Sequence, residues 1–418
     1  MQLQNRFSVV GSQGSAEPSG AERLLADVEG LAGEISARAG EIEAGRRVPP
    51  DLMDRLRTIG VFRMMAPRSH GGLELDLPAA LEVVGALARI EGSVGWIAMI
   101  GGVSPIFMPM LPRQVYDRAY QDGPDLITAG SLQPAGTAEA VTGEAVAGGF
   151  RVSGRWTFAS GCGHADWMLG LCVMTKGGKP IPASAIPASD GGAGPPMVRA
   201  VLLPARDWEI EDTWHVAGLK GTGSHDVVLK DVVVPAENVI DLEAAQPCVP
   251  GPLYQAVRTI LPLAHGAFCV GMAQGALSDL VALANTGRQQ QRAAVRMRDS
   301  EIFQYELGRI EADVRAARAF QEVQIASHWR RAQAGTLNDP ALLVEGAQAA
   351  AWLAATCVRI ADACFALGGG AALYESSPLQ RRLRDLHAAG QHAAVHPRAF
   401  AGAGKMRLDA PSAAKPPG

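Results

Sequence analysis

Apolar positions recur at helical spacing from Ala21 onward, with Leu24, Leu25, Val28, Leu31 and Ile35 on one face of a 3.6-residue period. Pro49-Pro50 opens a second helical segment, DLMDRLRTIGVF, where the missing proline N–H has no partner to lose. PRSHGGLELD interrupts the pattern with turn residues, and Leu77 to Ile100 then reads as one long, mostly apolar, buried helix. Pro105, Pro109 and Pro112 punctuate the chain, and near Asp125 the period changes. To about Pro235 come short β-like runs split by Gly, Pro and Asp: GFRVSGRWTFASG, DWMLGLCVM, VRAVLLP and HDVVLKDVVVP. Many short strands at close spacing predict a small antiparallel sandwich or barrel. After Pro252 the helical period returns over 253–288, 298–334, 340–367 and 378–395, the pattern of four antiparallel helices in a bundle.

The expected class is therefore α+β. It comprises a flexible tail (1–20), an N-terminal helical domain (21–124), a β domain (125–240), a C-terminal helical bundle (252–400) and a second flexible tail (401–418). A chain of 418 residues suits two or three packed domains better than one core. Charge changes little: a net charge of -4 offers no handle to nucleic acid or an anionic membrane. Arg, Asp, Gln or Gly interrupts each apolar run, so no membrane span is expected. The opening MQLQNRFSVVGSQGSAEPSG lacks the basic head and apolar stretch of a signal peptide, and the cytoplasm is the default. Cysteines 162, 172, 248, 269, 357 and 364 form no CxxC pair and are expected reduced and packed. His164 and Asp166 are spaced like two metal ligands, but no third lies nearby, and no metal is expected.

GTGSHD, GCGHAD and GGGAAL each begin G-x-G, yet none has the third glycine in place or opens a βαβ unit. A Rossmann site is thereby excluded, and no GxxxxGK[ST] loop or GxSxG elbow is present. Two stretches of the β region are more specific: GFRVSGRWTFASGCGHADW (Gly149 to Trp167) and WHVAGLKGTGSHDVVLKDVVVP (Trp214 to Pro235). By spacing alone, Trp156 and Phe158 suit one face of a sheet core and Ser160 the start of a turn. A third stretch, FALGGGAALYESSPLQRRLRD (Phe365 to Asp385), puts Gly368, Gly369 and Gly370 between two helical segments. Such glycines suit a helix–helix turn or a close backbone approach to an anion.

The order of segments together with these stretches resembles the acyl-CoA dehydrogenase superfamily over roughly residues 20–400. It is most similar to the flavin monooxygenases fed with reduced flavin by a separate reductase, among them the oxygenase component of hydroxyphenylacetate hydroxylase. The resemblance implies an N-terminal helical domain, a central β-sandwich or barrel and a C-terminal four-helix bundle. It implies that Trp156, Phe158 and Ser160 face the flavin ring, and that Gly368, Gly369 and Gly370 meet the phosphate or adenine part of a flavin bound by a neighbouring subunit. Arg381, Arg384 and Asp385 are expected to brace the bundle through ion pairs.

True dehydrogenases of this superfamily commonly carry a catalytic Glu shortly after an R-D pair, which removes the substrate α-proton. Here RDLHAAGQHAAVH follows from Arg384, the Glu position is Ala393, and no carboxylate lies between Asp385 and Asp409. His392 falls where the monooxygenases carry a histidine near the flavin, with His387 and His396 as alternatives. The resemblance thus assigns His392 and Ser160 to catalysis. Phenol-hydroxylating relatives often have a second histidine after a G-W segment. Here GWIAMIGGVSP puts Ser104 near that position and Trp96 at the pocket, which argues against a phenol activated by two histidines. The implied activity is oxygenation of a small indolic or phenolic substrate by reduced FAD or FMN and O2, through a C4a-hydroperoxide. The implied partners are a separate NAD(P)H flavin reductase and three further copies in a homotetramer. An amine N-oxygenase, an acyl-CoA dehydrogenase with a displaced base and a non-catalytic scaffold are the alternatives.

Overall fold

The computed structural model describes residues 19–141, 148–183, 194–255, 257–290, 293–337 and 339–409. The first helix, α1 (Gly20–Ala37), starts at a capping box in which Ser19 and Glu22 satisfy each other's backbone N–H groups. Its Leu24, Val28, Leu31 and Ile35 are buried, as their period requires. Helices α2 (Ala39–Gly45) and α3 (Pro50–Ile59) follow.

The stretch expected as one helix over 77–100 is two, α4 (Leu77–Ile90) and α5 (Gly92–Val103). The break is Glu91, extended at φ -150 and ψ 134, and its carboxylate accepts the Val94 N–H at 2.7 Å. A buried acid thus takes the capping place at the head of α5. A 3-10 turn (Ser104–Met110) and α6 (Arg113–Ala119) complete the N-terminal helices.

One sheet crosses the middle of the chain. Its strands are β1 (Thr128–Ala140), β2 (Phe150–Ala159), β3 (Trp167–Lys176), β4 (Lys179–Pro180), β5 (Val198–Pro204), β6 (Glu209–Glu211), β7 (His225–Val234) and β8 (Val239–Ile240). Their order is β6-β7-β2-β1-β3-β5-β8, with β4 on the edge of β3. The expectation of a wholly antiparallel sandwich or barrel needs correction, because β3 lies parallel to β1. The reason is the connection: β2 and β3 run in opposite senses around a tight turn at 160–166, but β1 occupies the place between them.

The C-terminal helices are α7 (Val257–Asn285), α8 (Glu301–Gln333), α9 (Pro340–Gly368), α10 (Pro378–Ala389) and α11 (Arg398–Asp409). The segment expected as a helix over 378–395 stops at Ala389, and His392 opens a separate 3-10 turn, Ala393–Val395. Residues 401–409, expected as tail, continue α11, with most side chains exposed. The tail positions 1–18 and 410–418 lie outside the described residues.

Three helical stretches, Gly92–Met110, Thr259–Asn285 and Pro340–Leu373, are long and apolar enough to cross a membrane, contrary to the expectation from sequence. Isolated Gly or polar residues do not lower their mean hydropathy enough to matter. In the fold much of that surface packs internally, 94% of the first window and half of the third.

Two cores result. The larger joins the N- and C-terminal helices to one sheet face through Trp167, Leu169, Ala200 and Leu202. The smaller lies on the opposite sheet face around Trp156, Trp208, Val152 and Leu229. Arg382 locks the two sets of helices together. From α10 it donates to the carbonyls of Ala88, Arg89 and Ile90 at the end of α4, and its Nε meets Asp279 of α7 at 3.0 Å. The α4 carbonyls have no intrahelical partner, so the guanidinium replaces water there. Arg382→Ala leaves them and Asp279 without a partner in a largely buried place. It should lower the unfolding free energy by about 3–5 kcal/mol, read from guanidinium denaturation midpoints.

Candidate active site

Between the helix-facing side of the sheet and the helices lies a cavity of about 1020 Å³. Its inner end is formed by buried side chains, Trp96, Thr128, Ser160 and His265, and its outer rim by exposed Leu132, Phe158 and Ala393.

Trp96 comes from α5, and its Nε1 donates to Ser160 Oγ at 2.9 Å. Ser160 Oγ is 2.7 Å from Ser224 Oγ, which is 2.7 Å from Thr222 Oγ1; that hydroxyl in turn donates to the Leu219 carbonyl. Leu219 N–H donates to Asp385 of α10 at 2.6 Å. A single polar line therefore runs from α5 through the end of β2 and the 219–224 loop to α10. Thr222 and Ser224 lie in GTGSHD, whose G-x-G spacing signals a nucleotide loop and gives no sign of this hydroxyl line.

Phe158 and Trp156 do not share a face, and the expectation that Trp156 faces a flavin is corrected. Residues two apart lie on one side only in a regular strand. Phe158 has φ 63, and the register between β2 and β7 slips between Trp156 and Ala159. This bulge turns the chain over. Trp156 stays fully buried in the smaller core, its Nε1 donating to the Leu171 carbonyl and its ring against Trp208. Gly136, Gly154 and Gly170 leave room for that indole, since a Cβ at any of them would meet it. Phe158, by contrast, stands 59% exposed on the cavity rim beside Trp214.

Gly368, Gly369 and Gly370 are not brought to this cavity. They end α9, where Gly369 has φ 57 and Gly368 packs against Leu379 and Ala372. Ser104 begins the 3-10 turn, and its side chain lies outside the described ones. His164 leans on Arg47, and Asp166 accepts the Ile127 N–H and pairs with Arg57. Arg384 pairs with Glu43 and donates to the Ala217 carbonyl.

His392 lines the cavity, and its partner was missed in the sequence. His265 of α7 stacks on it with ring centroids 4.1 Å apart and planes at 24°. Trp96 meets both rings edge-on, at 5.3 and 5.6 Å. A lone histidine in the apolar run LPLAHGAFCVG, one turn after Leu261 and Pro262, was the available signal. His265 Nδ1 lies 2.7 Å from the Leu261 carbonyl, which can only accept, so Nδ1 carries the proton. His392 Nδ1 accepts the Ala394 N–H, so its neutral ring carries the proton on Nε2. Burial pushes His392 down to about 4. Burial, and then the neighbouring His392, hold His265 well below the ordinary imidazole value. Both rings are neutral at physiological pH.

Among the described residues no carboxylate lines the cavity. Two buried acids, Glu91 and Asp385, lie outside its lining. Burial, and then the charge of Asp385, push Glu91 up to about 7; burial pushes Asp385 up to about 6. A carboxyl raised on folding stabilises the fold fully below its unfolded value of 4.5, and that contribution is lost as pH rises through 7. Glu91→Gln keeps an acceptor for Val94 N–H and stays neutral. The variant should match the wild type near pH 5 and melt at a higher temperature above about pH 8. Equal melting temperatures at both values would refute the buried-acid assignment.

The residues present fit a flavin. Phe158 and Trp214 give flat apolar walls with Leu132 beside them, Ser160 and Ser224 give hydroxyls, and the buried Thr128 Oγ1 has no partner among the described residues. A large apolar cavity with a few converging polar groups suits a ring system of this kind.

Residues 23–113 match the family model described as acyl-CoA dehydrogenase, N-terminal domain, and residues 263–397 match acyl-CoA dehydrogenase, C-terminal domain. The chain is 32% identical over 379 residues to the indole-3-acetate monooxygenase of Pseudomonas putida, covering 88% of this chain and 90% of that one. It is 31% identical over 396 residues to the FADH(2)-dependent resorcinol hydroxylase, oxygenase component, of Rhizobium sp., covering 90% and 91%. Among solved structures, XiaF from Streptomyces sp., in complex with FADH2 and glycerol, superposes with a TM-score of 0.80 at 26% identity over 91% of this chain and 96% of that one. The chain belongs to the acyl-CoA dehydrogenase family, in its branch of flavin-dependent monooxygenases. It is an oxidoreductase that works with reduced flavin and O2.

Proposed function

We propose that this chain is the oxygenase component of a two-component system and inserts one oxygen atom into a small indolic or phenolic ring. The observation that carries the reading is a cavity with two neutral imidazoles and, among the described residues, no carboxylate. Reduced FAD or FMN, when bound, supplies the electrons that activate O2. Phe158 and Trp214 would flank its ring, and Ser160 would offer it a hydroxyl. The apolar rim keeps water from the reacting atoms. Neutral His392 lines the cavity with its Nε2–H uncommitted to Ala394 and can exchange a proton there without carrying charge at rest. An acyl-CoA dehydrogenase needs a carboxylate where this cavity has none, which disfavours that alternative. Amine N-oxygenation uses the same oxygen chemistry and is an arm of the substrate test.

A separate NAD(P)H flavin reductase would supply the reduced flavin, as the name oxygenase component implies for the Rhizobium relative. A homotetramer accounts for two further features. Ile302, Tyr305 and Val323 of α8 and Trp352 of α9 expose apolar surface, as do Leu373 and Tyr374 beside the glycine loop. Docked against other copies in the cytoplasm rather than against lipid, these faces would bring Gly368–Gly370 of one copy to a neighbour's flavin.

The test supplies chemically reduced FMN or FAD, heavy-isotope O2 and a panel of indoles, phenols and amines. One labelled oxygen atom should enter an arene. Flavin reduction by an acyl-CoA, with no label in any arene, would overturn the reading. His392→Ala should lower single-turnover oxygenation about 100- to 10,000-fold, with reduced-flavin affinity little changed in anaerobic titrations.

A further inference from the structure

We propose that the inner end of the cavity takes an uncharged hydroxyarene, whose O–H is donated to His265 Nε2 while its oxygen accepts from His392 Nε2–H. This deepens the oxygenase reading and rests on it. His265 is only 2% exposed, and its Nε2 is buried with no hydrogen-bond partner among the described residues. Its Nδ1 is committed to the Leu261 carbonyl of its own helix, so the free nitrogen is an acceptor on the ring edge turned away from that backbone. A buried acceptor without a partner is costly to fold, and a ligand donor is what would satisfy it. His392 presents the opposite polarity, a donor, because its Nδ1 is occupied by the Ala394 N–H. The rings stack 4.1 Å apart, so an open acceptor and an open donor belong to one pair of imidazoles lining the cavity. A hydroxyl both donates and accepts. An indole N–H satisfies His265 alone, and an ether or thioether offers it nothing.

Charge narrows the class further. Arg384 is the one Lys or Arg lining the cavity among the described residues, and Glu43 already pairs with it. His387 is paired with Asp362, and His396 lies exposed toward the outer rim. No free cation remains at the inner end for a carboxylate, whose burial without one is unfavourable. His265 thus acts as a binding residue that selects the ring substituent. The sequence had pointed away from a phenol held by two histidines, because the expected second one is absent near Ser104. The fold supplies it from α7 instead.

The test is anaerobic calorimetric titration of phenol, its methyl ether anisole, and para-hydroxybenzoate, each with and without saturating reduced flavin. Wild-type protein should bind phenol about tenfold or more tighter than anisole, and para-hydroxybenzoate no tighter than anisole. His265→Phe should bring phenol down to the affinity of anisole without changing anisole. His265→Gln, which keeps an acceptor, should restore part of the preference. A purely structural role for His265 would weaken both ligands alike. That result, equal binding of phenol and anisole by the wild type, or tighter binding of the benzoate would each overturn the proposal. The wild-type comparison needs no variant to fold. Failure to retain reduced flavin would count against the oxygenase reading alone, since the flavin-free titrations still decide the arene question.

Discussion

The site depends on one hydrogen-bonded line that joins helix to sheet to helix. It starts at the Trp96 indole, passes through the hydroxyls of Ser160, Ser224 and Thr222 to the Leu219 carbonyl, and leaves by the Leu219 N–H to Asp385. Every member sits among apolar side chains, where an unmade hydrogen bond is expensive and a made one is strong. The line therefore fixes how far the helices stand from the sheet. It also fixes Trp96, against whose edge both imidazoles rest.

Desolvation then does the chemical work on those imidazoles. The same burial that lowers His392 and His265 raises Glu91 and Asp385. The wall and the ring pair respond in opposite directions because burial always penalises the charged form, whichever sign it carries. The outcome is a cavity lining whose imidazoles are neutral and a wall whose acids have their charged forms disfavoured. Acids stay outside the lining, the imidazoles face the cavity uncharged, and the lining guanidinium of Arg384 is matched by Glu43.

Left-handed backbone at non-glycine residues reaches the cavity lining at Phe158 and at Leu219. Phe158 takes a left-handed conformation that an aromatic residue rarely adopts, and by doing so separates the fates of neighbouring aromatics. Trp156 becomes part of the sheet's own core, while Phe158 and Ser160 reach the cavity. Without the bulge, the strand's alternation would have delivered Trp156 to the same side as Phe158.

The sequence by itself determined the order of helices, strands and helices, because periods of 3.6 and 2 are local properties of the chain. Short motifs read along one segment also named Trp96, Phe158, Ser160 and His392, and the fold brings these four to the cavity lining. The sequence determined the absence of a carboxylate after the Arg384–Asp385 pair in the same way. The tertiary structure alone decided the rest. The end of α4 at Glu91, the parallel pairing of β1 with β3, and the removal of Trp156 from the site each depend on what packs alongside. His265 is the clearest case: 127 residues separate it from His392 in the numbering, and only the approach of α7 to the turn after α10 stacks the rings. Contacts between distant segments carry no period and no spacing, so they exist for the reader only once the chain has folded.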